Sequence, residues 1–411
     1  MGSYPTITEA PGGLSFTGLA KEASNAYGVP VAASTYLPDT ANTLGTDPGW
    51  FSPHVMMALR DKQVYNLVGE QHNVGAIDAP LFPSNAMLLL VASIGMDASA
   101  GNGVTGTTGT GTTTMSGGVS AGASSITVAS ASGFATGQVV QIDVNGTGPT
   151  TTAECRKITV SGTTFTLDQP LTYAHLTGVT VKGVVAPYTH TIVQQNQLPS
   201  MTIEKNVGGT TRESLQYAGC RVNKLDVKMP VGNEACAITA DIMAQSVAIL
   251  PTPSTPSFAN ENPFVFAEGT LSFFGTNRYE AANLVLNIDN MMKETYTYSG
   301  FHGPSFITSN GLHVSGTLDM VWSSFDDATY GDFTRLINQT TGVLTMTLTH
   351  PASAGTITIT CPQIVLAKNQ IDPKPEDVVV EAMTWEASRP QTGASQYTVQ
   401  ATVVNNVYLN Y

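Results

Sequence analysis

Apolar and polar residues alternate along much of this chain. In the segment LHVSGTLDMVW, apolar side chains recur on one side at Leu312, Val314, Leu318, Met320 and Trp322. The segments NLVLNID, VLTMTLT and TITITC, which begin at positions 283, 343 and 356, repeat the same period of two. Successive side chains of a strand point to opposite faces, so this pattern indicates antiparallel strands buried on one face. Many such strands separated by Gly and Pro predict an all-β sandwich or barrel.

Two short segments have helical spacing instead. The segment SNAMLLLVASIG predicts a buried helix that is capped by Ser84 and ends at Gly95. The segment FDDATYGDFTRLIN predicts a second helix, because Asp326 and Asp327 favour a helix start and apolar residues follow at helical spacing. The same two aspartates would also fit a catalytic or metal-binding acid pair, but a helix start explains them more simply.

The composition changes between about residue 97 and residue 187. The tract GNGVTGTTGTGTTTMSGGVSAGASS, residues 101–125, contains no charged residue, no aromatic residue and no proline. Short strand-like segments with glycine turns follow it, and near residue 188 the composition returns to that of the first ninety residues. We therefore expect a small β domain at 97–187, inserted between two parts of a larger domain at 1–96 and 188–411. The Gly/Thr/Ser-rich tract is expected to be a flexible link to the insert.

Charged residues are scarce and mostly acidic. Asp and Glu number 30 against 17 Lys and Arg, the net charge is −13, and only 11% of residues are charged. This balance argues against tight binding to nucleic acid, which depends on Lys and Arg. A chain so poor in charge is more typical of proteins that assemble or lie outside cells. No signal peptide is expected at the first residues, and the longest apolar run, 86–96, is too short to cross a bilayer.

No arrangement of catalytic or cofactor-binding residues is recognisable. The segment GNGVTG fits the glycine pattern of dinucleotide-binding loops, but it follows a helix-like run and precedes a stretch unsuited to a helix. Seven histidines and four scattered cysteines show no zinc-ligand spacing. The cysteines are therefore expected to be reduced thiols. We expect no enzyme activity, no catalytic residue, no metal and no cofactor.

The most informative stretch is LPSMTIEKNVGGTTRESLQYAGCRVNKLDVKMPVGNEACAITADIMAQ, residues 198–245. It reads as a strand, a glycine turn and a long hairpin. Its order of LPS-T-E, Y-G, C-VN-L and a partner strand resembles the tail tube (major tail) proteins of long-tailed, siphovirus-like bacteriophages. The segments FAEGTLSFFG, ANLVLNIDNMM and SNGLHVSGTLDMVWSSFDDATYGDF resemble that family's next strands and short helix. AKEASNAYGVPVAASTYLP resembles its opening E…YGT…P segment, and the insert separately resembles a small β domain attached to various phage structural proteins.

This resemblance implies a β-sandwich or half-barrel flanked by a short helix. Six copies would join their sheets into a closed ring, which removes exposed sheet edges, and rings would stack into a tube. The tube would hold the tape measure protein and later genomic DNA without tight binding, with other tail proteins at its ends and no membrane. The protein would belong to the virion tail, assembled in the host cytoplasm. An insert displayed on the exterior would obstruct a close-fitting sheath, which implies a non-contractile tail.

An acidic lumen would repel phosphates and keep passing DNA mobile. Four acids lie on or beside predicted strands and are candidate lumen residues: Asp226, Glu234, Asp241 and Asp289. An acid on any half-exposed strand has the same signature in sequence, so the pattern by itself does not single these four out.

The segment from residue 34 to residue 53 shows no clear alternation and is long for a loop in a compact domain. The resemblance to tail tube proteins implies that this irregular loop reaches a neighbouring ring. Four of its residues are candidates for that inter-ring contact: Ser34, Tyr36, Asp39 and Trp50.

Two other interpretations stay open. A tail-completion or decoration protein of the same particle also forms β-sandwich rings, and stacking into an open-ended tube would distinguish the tail tube from these. A carbohydrate-binding β-sandwich adhesin would fit the inserted domain and the low charge, and it predicts a monomer that binds glycans through exposed aromatic residues. The insert has few aromatic residues, chiefly Phe134, Phe165 and Tyr173, which weakens the adhesin interpretation.

Overall fold

A computed structural model of the chain describes residues 12–23, 26–53, 65–97, 105–145, 148–208, 213–259, 261–325, 331–351, 355–371, 373, 378–393 and 395–408. The strands in the first half are β1 (Phe16–Lys21), β2 (Thr35–Leu37), β3 (Ala41–Asn42), β4 (Gly45–Asp47), β5 (Trp50–Phe51), β6 (Leu67–Val68), β7 (His72–Pro80), β8 (Gly95–Asp97), β9 (Thr105–Thr114), β10 (Ser125–Thr127), β11 (Val139–Asn145), β12 (Gly148–Ser161), β13 (Thr164–Leu167), β14 (Thr180–Gln194) and β15 (Met201–Val207). Those in the second half are β16 (Glu213–Pro230), β17 (Ala237–Ala244), β18 (Ser246–Leu250), β19 (Gly269–Phe273), β20 (Thr276–Asn277), β21 (Ala281–Asp289), β22 (Met292–Thr295), β23 (Phe306–Ser309), β24 (His313–Val321), β25 (Gly342–Thr349), β26 (Thr356–Ile371), β27 (Val380–Ala387) and β28 (Gln400–Asn405). The α-helices are α1 (Ala86–Ile94) and α2 (Asp332–Ile337), and single 3-10 turns lie at Gly12–Leu14 and Phe266–Glu268.

The all-β prediction is confirmed, and the alternation of residue types follows burial closely. Along β24, Val314, Leu318 and Met320 are buried, and the residues between them are less so, except Gly316. Strand β17 alternates strictly between half-buried and buried positions. Apolar residues thus cover one face of each strand and polar residues the other, as expected for sheets that pack on one side.

A broad antiparallel sheet forms the centre of the molecule. Its strands lie in the order β7, β17, β16, β21, β24, β27 and β26. The first part of β16 leaves this sheet and pairs with β15 and β18 in a second layer, where β15 also pairs with β1. The change of sheet falls at Gly219, whose φ of +64° suits glycine. One long strand therefore joins both layers.

The main hydrophobic core lies between these layers and includes every residue of α1 except Ser93, which is also buried. The helix predicted at this position is confirmed, but its cap is different. Asn85, not Ser84, precedes the first helical residue, and the Asn85 side chain makes no capping hydrogen bond. Its Oδ1 instead accepts a hydrogen bond from the Phe82 amide. Gly95 ends the helix as predicted.

The second predicted helix is present as the short α2, while Asp326 and Asp327 lie outside the described residues. The first residue of α2, Asp332, is fully buried and receives hydrogen bonds from two arginines. Arg278 Nη2 lies 2.7 Å from Asp332 Oδ2, and Arg335 Nη1 lies 2.7 Å from Oδ1. These ion pairs attach the helix to the loop before β21.

A second hydrophobic core lies within the segment predicted to be an insert. It is built from residues between Met115 and Val181, with Phe165 at 0% exposure. The flexible link predicted for the glycine tract is wrong for residues 105–114, because these form β9 and pair with β14. Strand β14 itself runs without a break from this second core to β28 of the main sheet. Pairing with a long neighbouring strand overrides the poor strand propensity of a Gly-rich sequence.

Candidate functional site

Three of the four candidate lumen acids lie together on the polar face of the main sheet. Their strands are adjacent: Asp241 on β17, Asp226 on β16 and Asp289 on β21. Lys224 is the cross-strand neighbour of both Asp241 and Asp289. The residues beside them in sequence are buried in the main core, which leaves the acids on the opposite, half-buried face.

A fourth acid joins this group, which we call the acidic face: Asp78, Asp226, Asp241 and Asp289. Asp78 lies on β7 opposite Thr239, whose hydroxyl donates a hydrogen bond to Asp78 Oδ1 at 2.7 Å. Lys224 Nζ donates to Asp226 Oδ2 at 3.0 Å, while Asp226 Oδ1 is buried with no hydrogen-bond partner. One lysine therefore neutralises only part of the charge on this face.

The carboxylates of the acidic face are close enough to affect each other's ionisation. Burial raises the pKa of Asp241, Lys224 lowers it, and the charges of Asp226, Asp78 and Asp289 raise it further. The net effect is a pKa above the ordinary value. Like charges held together in this way lower the stability of the folded chain when they are ionised.

Asp241→Asn is expected to change the pH dependence of stability in a defined direction. The folded-state pKa of Asp241 is raised, so the wild type loses stability as the pH rises from the unfolded-state pKa, about 3.9, to the raised value. The asparagine variant lacks this loss and should be the more stable protein above that window. Urea unfolding midpoints measured from pH 3 to pH 8 test this.

A second variant gives the matched comparison. Lys224→Met removes the positive charge that lowers the pKa of Asp241, so its stability should fall more steeply over the same pH window than that of the wild type. Identical pH profiles for the wild type and both variants would contradict electrostatic coupling on the acidic face.

Glu234 lies apart from the other three candidates, and the sequence did not single out Asp78. Glu234 is exposed in the turn between β16 and β17, at the end of the sheet. Asp78 follows the alternation of the segment HNVGAIDAP, so its place on a strand was readable. Its position beside Asp241 was not, because that depends on the pairing of β7 with β17.

The segment predicted to be an irregular inter-ring loop is mostly ordered against its own chain. It contains β2, β3, β4 and β5. The Ser34 amide donates to the Leu19 carbonyl oxygen at 2.9 Å, and Asp39 accepts a hydrogen bond from Thr17 at 2.7 Å. Tyr36 packs edge-on against Phe16. Three of the four candidate residues therefore contact β1 of the same chain.

Trp50, the fourth candidate, stands on an exposed hairpin. It pairs with Val68 across β5 and β6, and its side chain is 64% exposed. Four more apolar residues of this hairpin are exposed: Phe51, Tyr65, Leu67 and Val68. Contiguous exposed apolar residues of this kind commonly mark an interaction surface.

The tip loop of a second exposed hairpin, β22–β23, contacts the base of the first hairpin. His302 accepts a hydrogen bond from the Gln71 amide through its carbonyl oxygen, at 2.8 Å. Between β7 and β22, His72 Nδ1 lies 2.6 Å from Glu294 Oε2, and the Tyr296 hydroxyl donates to the same oxygen at 2.9 Å. The two hairpins are thus joined by polar contacts and do not project independently.

The E…YG motif of the opening segment has a structural explanation. Glu22 is 2% exposed, and its carboxylate accepts hydrogen bonds from the amides of Gly28 at 2.9 Å and Gly219 at 2.7 Å. The Tyr27 hydroxyl lies 3.3 Å from the Gly219 carbonyl oxygen. The motif therefore fastens the opening segment to the point where β16 changes sheets.

The described residues contain no group of three His, Cys, Asp or Glu side chains that could hold a metal ion. In the same part of the chain, no helix is long and apolar enough to cross a membrane. The four cysteines are buried free thiols, as predicted. Burial raises the pKa of Cys361 to about 12 and that of Cys236 to about 11, which makes these thiols unreactive near neutral pH.

A family model described as phage tail tube protein matches residues 12–387, which is most of the chain. The match spans both layers of the main domain and the second core. No curated protein matches the chain.

Proposed function

Because this chain belongs to the phage tail tube protein family, it is a structural protein of the phage tail, and we propose that six copies join into a ring. Rings stack into a tube that first encloses the tape measure protein and later conducts genomic DNA into the host. Other tail proteins bind the ends of the tube. Assembly takes place in the host cytoplasm, and the finished protein is part of the virion tail.

The acidic face supports this function most directly. It places Asp78, Asp226, Asp241 and Asp289 on one side of a continuous sheet, although burial and the neighbouring acids raise the pKa of Asp241, which costs stability. Such a cost is typical of a functional surface. A lumen lined by these carboxylates repels DNA phosphates and lets the DNA pass without binding. The exposed Glu234 lies at the end of the sheet, where it adds negative charge at the rim.

The second core supports an external position for the insert at 97–187. The four residues of the acidic face lie on strands outside this segment, so their sheet pairing does not involve it. Tyr408 donates a hydrogen bond to Asp168 of this segment at 2.6 Å, and β14, which begins in the segment, continues into pairing with β28. A domain held against the outer wall in this way obstructs a close-fitting sheath, which favours a non-contractile tail.

Electron microscopy of the purified protein over a range of concentrations tests the assembly. We expect hollow rings with six-fold symmetry at low concentration and stacked tubes with external knobs at high concentration. Single particles at every concentration would count against the tube.

The lumen assignment has a separate test that uses assembled tubes. The double variant Asp226→Lys and Asp241→Lys is expected to trap short duplex DNA added during assembly and to protect it from nuclease. Binding should weaken steeply with salt, because it depends on phosphate contacts. The matched control, Glu213→Lys and Glu261→Lys, changes the same number of charges away from the acidic face. Nuclease-sensitive DNA on both variants would exclude these aspartates from the lumen.

A further inference from the structure

Two apolar surfaces lie at opposite ends of strand β21. Residues at the first end of this strand, from Ala281 to Leu284, line a groove. After its last residue, Asp289, the chain turns directly into the β22–β23 hairpin. A nine-residue strand spans about 30 Å, so the groove and the hairpin are separated by the height of the sheet.

The groove is open and mostly apolar. Its volume is about 390 Å³, and Met229, Phe266, Leu271, Tyr279 and Leu284 are among the residues that line it. The Tyr279 side chain is 88% exposed and Phe266 is 43% exposed. The described part of the chain leaves most of the Tyr279 ring and part of the Phe266 ring uncovered, so apolar side chains from outside have space to pack there.

The β22–β23 hairpin carries two aromatic residues in its tip loop and one at the start of β23, and we call these the hairpin knob: Tyr298, Phe301 and Phe306. Tyr298 is fully exposed, Phe301 is 46% exposed and Phe306 is 56% exposed. The hairpin is held at both ends: the Met292 amide at its base donates to Asn223 Oδ1 at 2.8 Å, and Gln245 Nε2 donates to the Ser305 carbonyl oxygen beside its tip at 3.1 Å. The knob is therefore presented from a hairpin that is fixed against the rest of the chain.

The exposed charges near the two surfaces differ in sign, because Arg278 of the groove lining is buried and paired with Glu280 and Asp332, and Glu294 of the hairpin is paired with His72. Lys293 is exposed on β22 of the hairpin. At the groove, Glu234 is exposed in the same turn as Val231, which lines the groove. A lysine approaching this rim gains a favourable interaction, so the charge pattern agrees with the apolar match.

We propose that the hairpin knob of one copy of this chain inserts into the groove of a second copy in the next ring. This rests on the proposed tube. A contact between different surfaces at the two ends of one molecule is heterologous, and repeating it along an axis produces an open-ended filament. Every ring then offers knobs on one side and grooves on the other, and all rings in the tube point the same way.

Cross-linking between two singly substituted proteins tests the contact. We expect Phe301→Cys protein mixed with Tyr279→Cys protein to give covalent dimers with a short bis-maleimide, while either protein alone gives none. The native cysteines are all buried, so they provide a low background. Dimers from Phe301→Cys protein alone would show a knob-to-knob contact and overturn the proposal.

Assembly of substituted proteins provides the second test. Tyr298→Ser with Phe301→Ser removes the knob, and Tyr279→Ser weakens the groove. Each should raise the concentration needed for tubes by about tenfold or more, because aromatic anchors dominate such contacts, while single rings still form. Mixing the two variants should yield stacks of two rings and no longer ones, because only one pairing of intact surfaces remains. Leu176→Ser, at a residue 78% exposed in the insert, is the matched control and should form tubes normally.

The outcomes separate the inference from the proposed function. If the knob and groove variants form tubes at the wild-type concentration, the knob-in-groove contact is wrong and the tube stands. If the wild type forms neither rings nor tubes, both fail. Equal urea unfolding midpoints of the variants and the wild type confirm that assembly, and not folding, has changed.

Discussion

Replacing Glu22 with alanine is expected to lower the free energy of unfolding by about 3–5 kcal/mol, since each buried donor left without a partner costs about 1–3 kcal/mol. The Glu22 carboxylate accepts four hydrogen bonds, from the amides of Gly28 and Gly219 and from the hydroxyls of Ser200 and Thr202. The two hydroxyls can rotate toward other acceptors, but the two amides are fixed by the backbone. Urea unfolding followed by circular dichroism, at a concentration where the protein is unassembled, measures the loss.

Two controls place this loss at the buried carboxylate. Glu213→Ala removes the same side chain from an exposed position and should change the free energy of unfolding by less than about 0.5 kcal/mol. Glu22→Gln keeps one acceptor oxygen and the side-chain volume, so its loss should be smaller than that of Glu22→Ala. An alanine variant as stable as the wild type would mean that the opening segment is not fastened through this residue.

Replacing Arg278 with methionine is expected to be about equally destabilising, because breaking a buried ion pair by removing one partner costs about 3–5 kcal/mol. Arg278 is 4% exposed and pairs with Asp332 and Glu280. It also lowers the pKa of Glu381, which burial raises above the ordinary value. Without the arginine, three acids are left close together near the start of α2: Glu280, Asp332 and Glu381. Arg335 still pairs with Asp332.

The pH dependence of the Arg278→Met variant distinguishes a charge effect from lost packing. Without Arg278, the folded-state pKa of Glu381 rises further above its unfolded-state value, so the stability of the variant should fall more than that of the wild type as the pH rises through the acidic range. The deficit relative to the wild type should therefore be larger at pH 7 than at pH 4. Unfolding midpoints at both pH values measure this, and a deficit that is the same at both would indicate lost packing.

Further variants complete this comparison. Arg389→Met removes an exposed arginine and should leave the midpoint almost unchanged. The double variant Arg278→Met with Asp332→Leu should lose less than the sum of the two single changes, because removing both charges leaves no unpaired carboxylate at that position.

Local patterns were sufficient to predict the strands in which apolar and polar residues alternate clearly. The alternation around Val314, Leu318 and Met320 predicted their burial, because the backbone of a strand points successive side chains to opposite faces whatever the rest of the chain does. The short helix before Gly95 was readable for a similar reason, since its apolar run and its terminal glycine are adjacent in sequence. The glycine tract was misjudged, because its pairing with β14 depends on residues 66 to 84 positions away.

The buried charges were not readable from the sequence. Nothing in the sequence near Glu22, Arg278 and Asp332 distinguishes them from solvated surface charges. Their burial follows from contacts between segments far apart in the chain, such as that of Glu22 with Gly219. The E…YG motif marked the opening segment through its resemblance to a family, while the hydrogen bonds of Glu22 supply the physical reason for it.

The sequence by itself determined that this protein is built of half-buried antiparallel strands, that it is acidic, and that its motifs follow the order of a tail tube protein. Only the tertiary structure decided which residues meet. Alternation puts Asp226, Asp241 and Asp289 on polar faces, but strand pairing across the sheet brings them together and adds Asp78. The reason is that the face of a residue is a property of its own strand, whereas its neighbours depend on the register between strands, which only the complete fold defines.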